Sequence, residues 1–412
     1  MPAPRARRAV IFFTVMIDLI GFGIVLPILP SYAQRFGAGG LGYGAIIGVF
    51  SLMQFVATAL LGKLSDRVGR RPVLLTTMLI NAVGYTLFAF AGSYWILFLS
   101  RVVSGFAGGN ISAAQAYMAD ISTPAERSRA MGMVGAAFGI GFSLGPAIAG
   151  FSDHFFGPMA PGLIAVGLSL ANFVSAYFIL PESLAHEHRV KRSLFDLGHI
   201  VQAVARPRLR PLMAVWALVP FAFAGYTAIL PLQAFSVLGW GKRELAILFT
   251  LIGVTAAPVQ GYFFGRIVRR SGERSLVIIG TFGMALSIGI IPFLHNSLSL
   301  YAWTIVLAVS NSIFAPAATG LVSVYADVTE QGTVLGAAQA IGALGRTAGP
   351  PIVGTVYDVS PVTSFVLAGF VMALAGLAGL KLARVPHAPV TPAPAAPPVP
   401  SVPLPPPPPE GS

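Results

Sequence analysis

An ionisable side chain in the middle of a long apolar run does chemistry or is removed, and this chain carries three candidates. Asp18 lies within Val10–Pro30, which reads VIFFTVMIDLIGFGIVLPILP. A carboxylate at such a depth costs about 2.5–3.5 kcal/mol even on lenient insertion scales. The chemistry open to it is proton exchange. Burial disfavours the charged form, so the group can load a proton on one side and release it where water or a cation stabilises the charge. The alternative is a structural carboxylate bonded to neighbouring helices. Arg101 and Arg346 also fall inside apolar runs. With a rise of 1.5 Å per residue, Asp18 lies about 12 Å inside its boundary and Arg101 about 9 Å inside the other, leaving roughly 9 Å of axial separation. An extended arginine and a water can bridge that gap; otherwise Arg101 bonds backbone carbonyls and snorkels outward. Arg346 has the same alternatives, or meets an anionic substrate group.

Helices long enough to cross a bilayer must position these residues. Of 412 residues, 55% are hydrophobic and 10% charged, against about 25% charged in soluble domains, so the chain reads as an all-α integral membrane protein. Twelve spans are expected, near 10–30, 42–61, 73–91, 95–118, 130–152, 161–180, 211–234, 244–264, 275–294, 299–323, 333–356 and 362–383. They divide into a short N-terminus (1–9), a six-helix bundle (10–181), a polar linker (182–210), a second bundle (211–384) and a Pro-rich tail (385–412) expected to be extended and disordered. Within the linker, residues 193–204 fit either a short surface helix or a solvated basic segment. With the N-terminus inside, only Arg35, Lys242 and Arg243 among loop cations fall outside, so both termini are expected in the cytoplasm of a cell (inner) membrane. The net charge of +12 then reflects topology and anionic lipid, and no nucleic-acid partner is needed. Thirteen of the 14 acids fall in loops, at span ends or in the tail, which isolates Asp18.

The two bundles repeat one another. GKLSDRVGRRP at 62–72 returns as GRIVRRSGERS at 265–275, Glu126 pairs with Glu330, and Gly145-Pro146 pairs with Gly349-Pro350. Duplicated six-span halves are the usual construction of a secondary transporter, with its site at the midplane. No G-x-x-x-x-G-K-[ST] occurs, so neither ATP nor any cofactor is expected and the proton gradient is the energy source. An enzyme is not expected, and His186-Glu187-His188 lacks the spacing of a helical zinc site.

Gly62-Lys-Leu-Ser-Asp66-Arg67-Val-Gly69-Arg70-Arg71 resembles the signature loop between the second and third helices of the major facilitator superfamily. Leu97–Gly105, with Arg101, resembles its fourth-helix motif, with Ser104 where Gln is usual. Gly141-Phe-Ser-Leu-Gly145-Pro146-Ala-Ile-Ala-Gly150 resembles its antiporter motif, with Phe151 replacing a terminal glycine. Asp18-Leu-Ile-Gly21-Phe-Gly23, with Pro27 and Pro30, resembles the first helix of the twelve-span drug/proton antiporters, and the likeness is greatest to the tetracycline/proton antiporters. The resemblance implies the major facilitator fold in two pseudo-symmetric halves. It also implies proton-coupled export of amphipathic drugs, with Asp18 and Arg101 as the coupling residues. Tetracycline carriers have further intramembrane acids where this chain shows Val83-Gly84-Tyr85 and Gly283-Met284.

Two motifs also carry physical expectations. The glycines of the 62–71 loop allow a tight turn, and Asp66 and Arg70 are placed to pair with each other or with nearby helix ends, contacts expected only while the cytoplasmic ends of the halves are together. The alternative is a basic hairpin that only fixes topology. Gly135, Gly139, Gly141 and Gly145 let a neighbouring helix approach closely, and Pro146 bends theirs. That face is a pliable contact between halves or ordinary tight packing. Gln54, Asn81, Gln115, Tyr226, Gln233, Asn311 and Arg346 are the candidate cavity lining; Asn110, Gln260 and Gln339 are further polar residues in spans. The other functions weighed are a carrier of an anionic metabolite or lipid and a non-transporting sensor or channel. A monomer is expected.

Overall fold

The computed structural model describes residues 4–123, 127–183, 206–326 and 330–382. The linker helix near 193–204, His186–His188, Glu126 and the Pro-rich tail lie outside them. Residues through Leu382 pack as one unit. We call residues before the linker the first half and those after it the second.

Helices follow the apolar runs. In the first half they are α1 (Pro4–Val25), α2 (Leu29–Arg35), α3 (Gly40–Val68), α4 (Arg70–Ala89), α5 (Tyr94–Ala107), α6 (Ile111–Asp120), α7 (Arg127–Phe156) and α8 (Ala160–Ile179). In the second they are α9 (Arg210–Leu238), α10 (Lys242–Pro258), α11 (Phe264–Ile290), α12 (Ser297–Tyr325), α13 (Gln331–Val359) and α14 (Pro361–Leu380). Starts are capped where the sequence allows: the Ser93 hydroxyl accepts from Ile96 N, Asn296 Oδ1 from Ser299 N, and the Ser360 hydroxyl from Thr363 N.

Among the described residues, nine segments are long and apolar enough to cross a membrane. One of them, Lys242–Phe293, is 52 residues long and takes in two of the expected spans, with a break at Gly272, whose φ of 71° lies outside helical geometry. Expected spans 130–152 and 333–356 are helical as α7 and α13 but fall outside the nine. The outward surface is apolar, with Phe178 77% and Leu298 79% exposed, as a lipid-facing surface must be. The protein is an all-helical, multi-pass membrane protein.

Two expected spans are broken. The first divides between Val25 and Leu29, where Pro27 keeps α1 from continuing. The fourth is interrupted by a 3₁₀ turn over Gly108–Asn110 between α5 and α6. Gly109 makes this possible by lying directly on Ala57 and Thr58 of α3, where a side chain has no room.

The packing differs between the two ends. At the end carrying the 62–71 loop, here the basic end, Val10, Leu61, Leu74, Tyr117 and Leu180 form a core drawn entirely from the first half. At the opposite end, Ile24, Tyr32, Tyr43 and Phe88 of the first half share a core with Ala228 and Leu232 of the second. The halves therefore converge at one end. Gly44 meets the Pro350 carbonyl, Gly40 the Gly354 carbonyl and Gly48 the Thr347 carbonyl, so α3 and α13 touch backbone to backbone there. Toward the basic end the same helices expose Thr58 and Gln339.

Candidate functional site

Asp18 is partly buried, and both carboxylate oxygens accept from amides. Asn81 Nδ2, on α4, donates to Oδ1 at 3.2 Å, and Asn110 Nδ2, from the 3₁₀ turn, donates to Oδ2 at 2.7 Å. Tyr85 OH donates to the Asp18 backbone carbonyl at 3.5 Å, and its ring fills the space beside Gly21, where a Cβ would collide with it. The helix break after α5 thus supplies the shorter of the two bonds. The Oδ1 atoms of Asn81 and Asn110 have no partner, so each amide keeps an acceptor beside the carboxylate.

Among the described residues no cation pairs with Asp18. Arg101 is 2% exposed; its guanidinium carbon lies 5.3 Å from the Phe88 ring centre and 5.9 Å from that of Phe50. Nε donates to the Ser100 hydroxyl at 3.4 Å, and Nη2 is unpartnered. Neither an ion pair with Asp18 nor outward snorkelling is found. Aromatic faces, which attract cations through their quadrupole, hold the charge instead.

The cavity candidates do not all converge. Gln54 Nε2 donates to the Gly108 carbonyl at 3.4 Å, next to the turn that carries Asn110. Gln233 accepts from Tyr357 OH at 3.3 Å, and Ser236 joins the same hydroxyl. These residues tie α9 to α13 rather than meeting Asp18. Tyr226 is 1% exposed with its hydroxyl unpartnered. Gln115 is exposed and Asn311 partly buried. Arg346, partly buried on α13, makes no hydrogen bond or ion pair with a described residue; carbonyl bonding, one of its expected alternatives, is not found.

The 62–71 loop departs from expectation in two ways. Gly62 through Val68 continue α3, and Gly62 serves close packing on Ser112; Gly69 alone makes the turn, with φ 112°. Every described partner of Asp66, Arg70 and Arg71 lies in the first half or, for Glu182, at its junction with the linker. Arg70 pairs with Asp66 at 2.5 Å and Asp120 at 3.3 Å and donates to the Ser65 hydroxyl. Glu182 accepts from the backbone N–H groups of Arg70 and Arg71, capping α4. Arg71 donates to the Tyr177 carbonyl. The Asp66–Arg70 pair therefore does not require the two halves to meet, contrary to the sequence expectation. Asp120 and Glu182 had read only as span-end acids.

The antiporter-motif glycines also face chiefly inward within their half. Gly141 packs on Met16 and Leu19, and Gly145 on Ile20 and Gly23, all of α1, while only Gly150 faces the second half, at Ala246. Contacts between α7 and α10 continue at Ser143 and Gly253 and end in an ion pair, Lys242 Nζ to Asp153 Oδ1 at 2.7 Å.

Comparison with known proteins decides the family. The model of the Major Facilitator Superfamily matches residues 11–271 and 234–408. The chain belongs to the Major Facilitator Superfamily. It is 30% identical to the Escherichia coli tetracycline resistance protein, class C, over 88% of this chain and 93% of that one. It is likewise 30% identical to the major facilitator superfamily domain-containing protein 10 of Bos taurus, over 86% and 88%. The crystal structure of the human organic anion transporter MFSD10 (TETRAN) superposes with a TM-score of 0.70 at 25% identity, covering 92% of this chain and all of that one. The protein is a major facilitator transporter of small molecules, and not an enzyme.

Proposed function

We propose that the protein is a proton-coupled antiporter that exports amphipathic, drug-like molecules by alternating access, with Asp18 as its proton site. The observation that carries this reading is the setting of Asp18 between two asparagine amides without a paired cation. A carboxylate held by a salt bridge stays charged. One held by neutral amides is served in either form: the Nδ2 groups donate to the anion, and after a half-turn of an amide the free Oδ1 accepts from the protonated acid. Arg101, held on the faces of Phe50 and Phe88, is the second coupling residue. Binding of a substrate that takes the Asn81 and Asn110 acceptors, or that carries a positive charge, then competes with the proton.

Placing the basic end in the cytoplasm by its Lys and Arg content makes the observed arrangement open to the cytoplasm, the state in which an exporter loads. Both termini are cytoplasmic and the protein acts as a monomer in the cell membrane. In proteoliposomes with an imposed pH gradient, drug uptake should follow the gradient and cease when it is collapsed; uptake that ignores the gradient overturns antiport.

A second reading, carriage of an organic anion, has its own observation. Arg346 is partly exposed and has no partner among the described residues, in a half whose spans carry no acid, and the human MFSD10 that this chain resembles in structure is an organic anion transporter. If it holds, Arg346→Gln weakens binding of an anionic substrate by about tenfold, as expected for losing a charged hydrogen bond, and leaves neutral substrates unaffected.

A further inference from the structure

The seam between α7 and α10 carries a groove of about 660 Å³ on the membrane-facing surface at the opposite end. Its lining is mostly apolar, including Ala147 and Phe151 from the first half and Ile247, Leu251 and Val254 from the second, with His154, Arg243 and Thr250 as its polar members. The geometry points to a binding site for one anionic phospholipid of that leaflet, with its headgroup on Arg243 and His154 and an acyl chain along the groove.

Charge and length both fit. The neighbouring acids are engaged elsewhere: Asp153 with Lys242, and Glu244 with the Gly241 N–H. Arg243, exposed and with no described partner, is left as the cation facing the headgroup layer. From Arg243 to Val254, eleven residues of helix span about 16 Å, close to half of a 30 Å hydrocarbon core and so to one leaflet. Phe151 and Val254, 61% and 59% exposed, offer a surface to an alkyl chain. Because one wall belongs to each half, a seated lipid bridges the seam and favours the arrangement in which this end is closed.

Native mass spectrometry of the full-length protein in detergent, supplied with phosphatidylglycerol or phosphatidylcholine, tests this. The wild-type protein should retain one phosphatidylglycerol with at least fivefold preference. Arg243→Gln should abolish the preference, Arg243→Lys should keep most of it, and Ala147→Trp, which fills the groove, should lose the lipid. Equal retention of the two lipids, an unchanged Arg243→Gln, or a lipid still held by Ala147→Trp overturns the site. So does an Ala147→Trp variant that keeps its lipid and raises KM for a labelled drug, which would make the groove a substrate passage.

Discussion

The two ends of the bundle are rich in charged and small residues, yet they use them differently. At the opposite end polar contacts cross between halves. Asp358 of α13 accepts from Gly40 N at 2.6 Å and Leu41 N at 2.9 Å, placing a carboxylate on the positive N-terminus of α3. Lys242 pairs with Asp153, and glycines let α3 and α13 touch. At the basic end the described ion pairs do not cross between the halves: Arg70 gathers Asp66 and Asp120 within the first half, and Arg206, at the end of the linker, pairs with Glu330 of the second. Contacts that cross between halves set which end is closed, and contacts inside a half set only how firmly that half holds its shape.

This distinction can be broken by substitution. Gly44→Val drives a side chain into the Pro350 carbonyl. Overpacking costs about 1–3 kcal/mol, so the closed population at that end should fall by roughly 5- to 150-fold, seen as a widened spin-label distance between Leu41 and Val359. Asp358→Ala removes a charged helix cap and should cost about 1–2 kcal/mol by the same measurement. Lys242→Met, which breaks a partly exposed pair, should move the distance distribution least, by about 0.2–1 kcal/mol. Arg70→Gln leaves Asp66 and Asp120 without their cation; thermal stability should drop by about 1–3 kcal/mol while the spin-label distances stay unchanged. A change in which end is open would refute the assignment of this network to one half.

The Arg206–Glu330 pair gives a pH test of the same idea. The Arg206 hydrogen bond holds the exposed Glu330 carboxyl below its ordinary value of 4.5. Its contribution is complete at pH values above that ordinary range and is lost as pH falls through the lowered one. Between pH 8 and pH 5 the stability lost in Glu330→Gln should be small and constant, and the open end should not respond. A pH-dependent difference in that interval would contradict the pairing.

Much of the fold was legible because bilayer crossing demands long apolar runs, and those runs became helices. The breaks were less legible. Gly108–Asn110 interrupts a helix because of a close approach made only in the folded chain, whereas the break at Gly272 falls in the loop expected between spans 244–264 and 275–294. Asp18 stood out in the sequence because a buried acid is costly wherever it sits. Its partners did not, since Asn81 and Asn110 come from different expected spans and read as two of many polar residues. The aromatic cradle of Arg101 was hidden for the same reason, Phe50 and Phe88 being indistinguishable from core. Asp153 and Asp358 had been counted among acids at span ends, and only tertiary contact separates an acid that joins the halves from one that does not.

The central claim is that Asp18 is the proton site, and drug-induced proton release from the detergent-solubilised protein tests it most directly. With wild-type protein at neutral pH in weak buffer, adding a drug should release protons in proportion to the drug bound. Asp18→Asn should still bind drug and release none. Proton release that persists in Asp18→Asn would contradict the account.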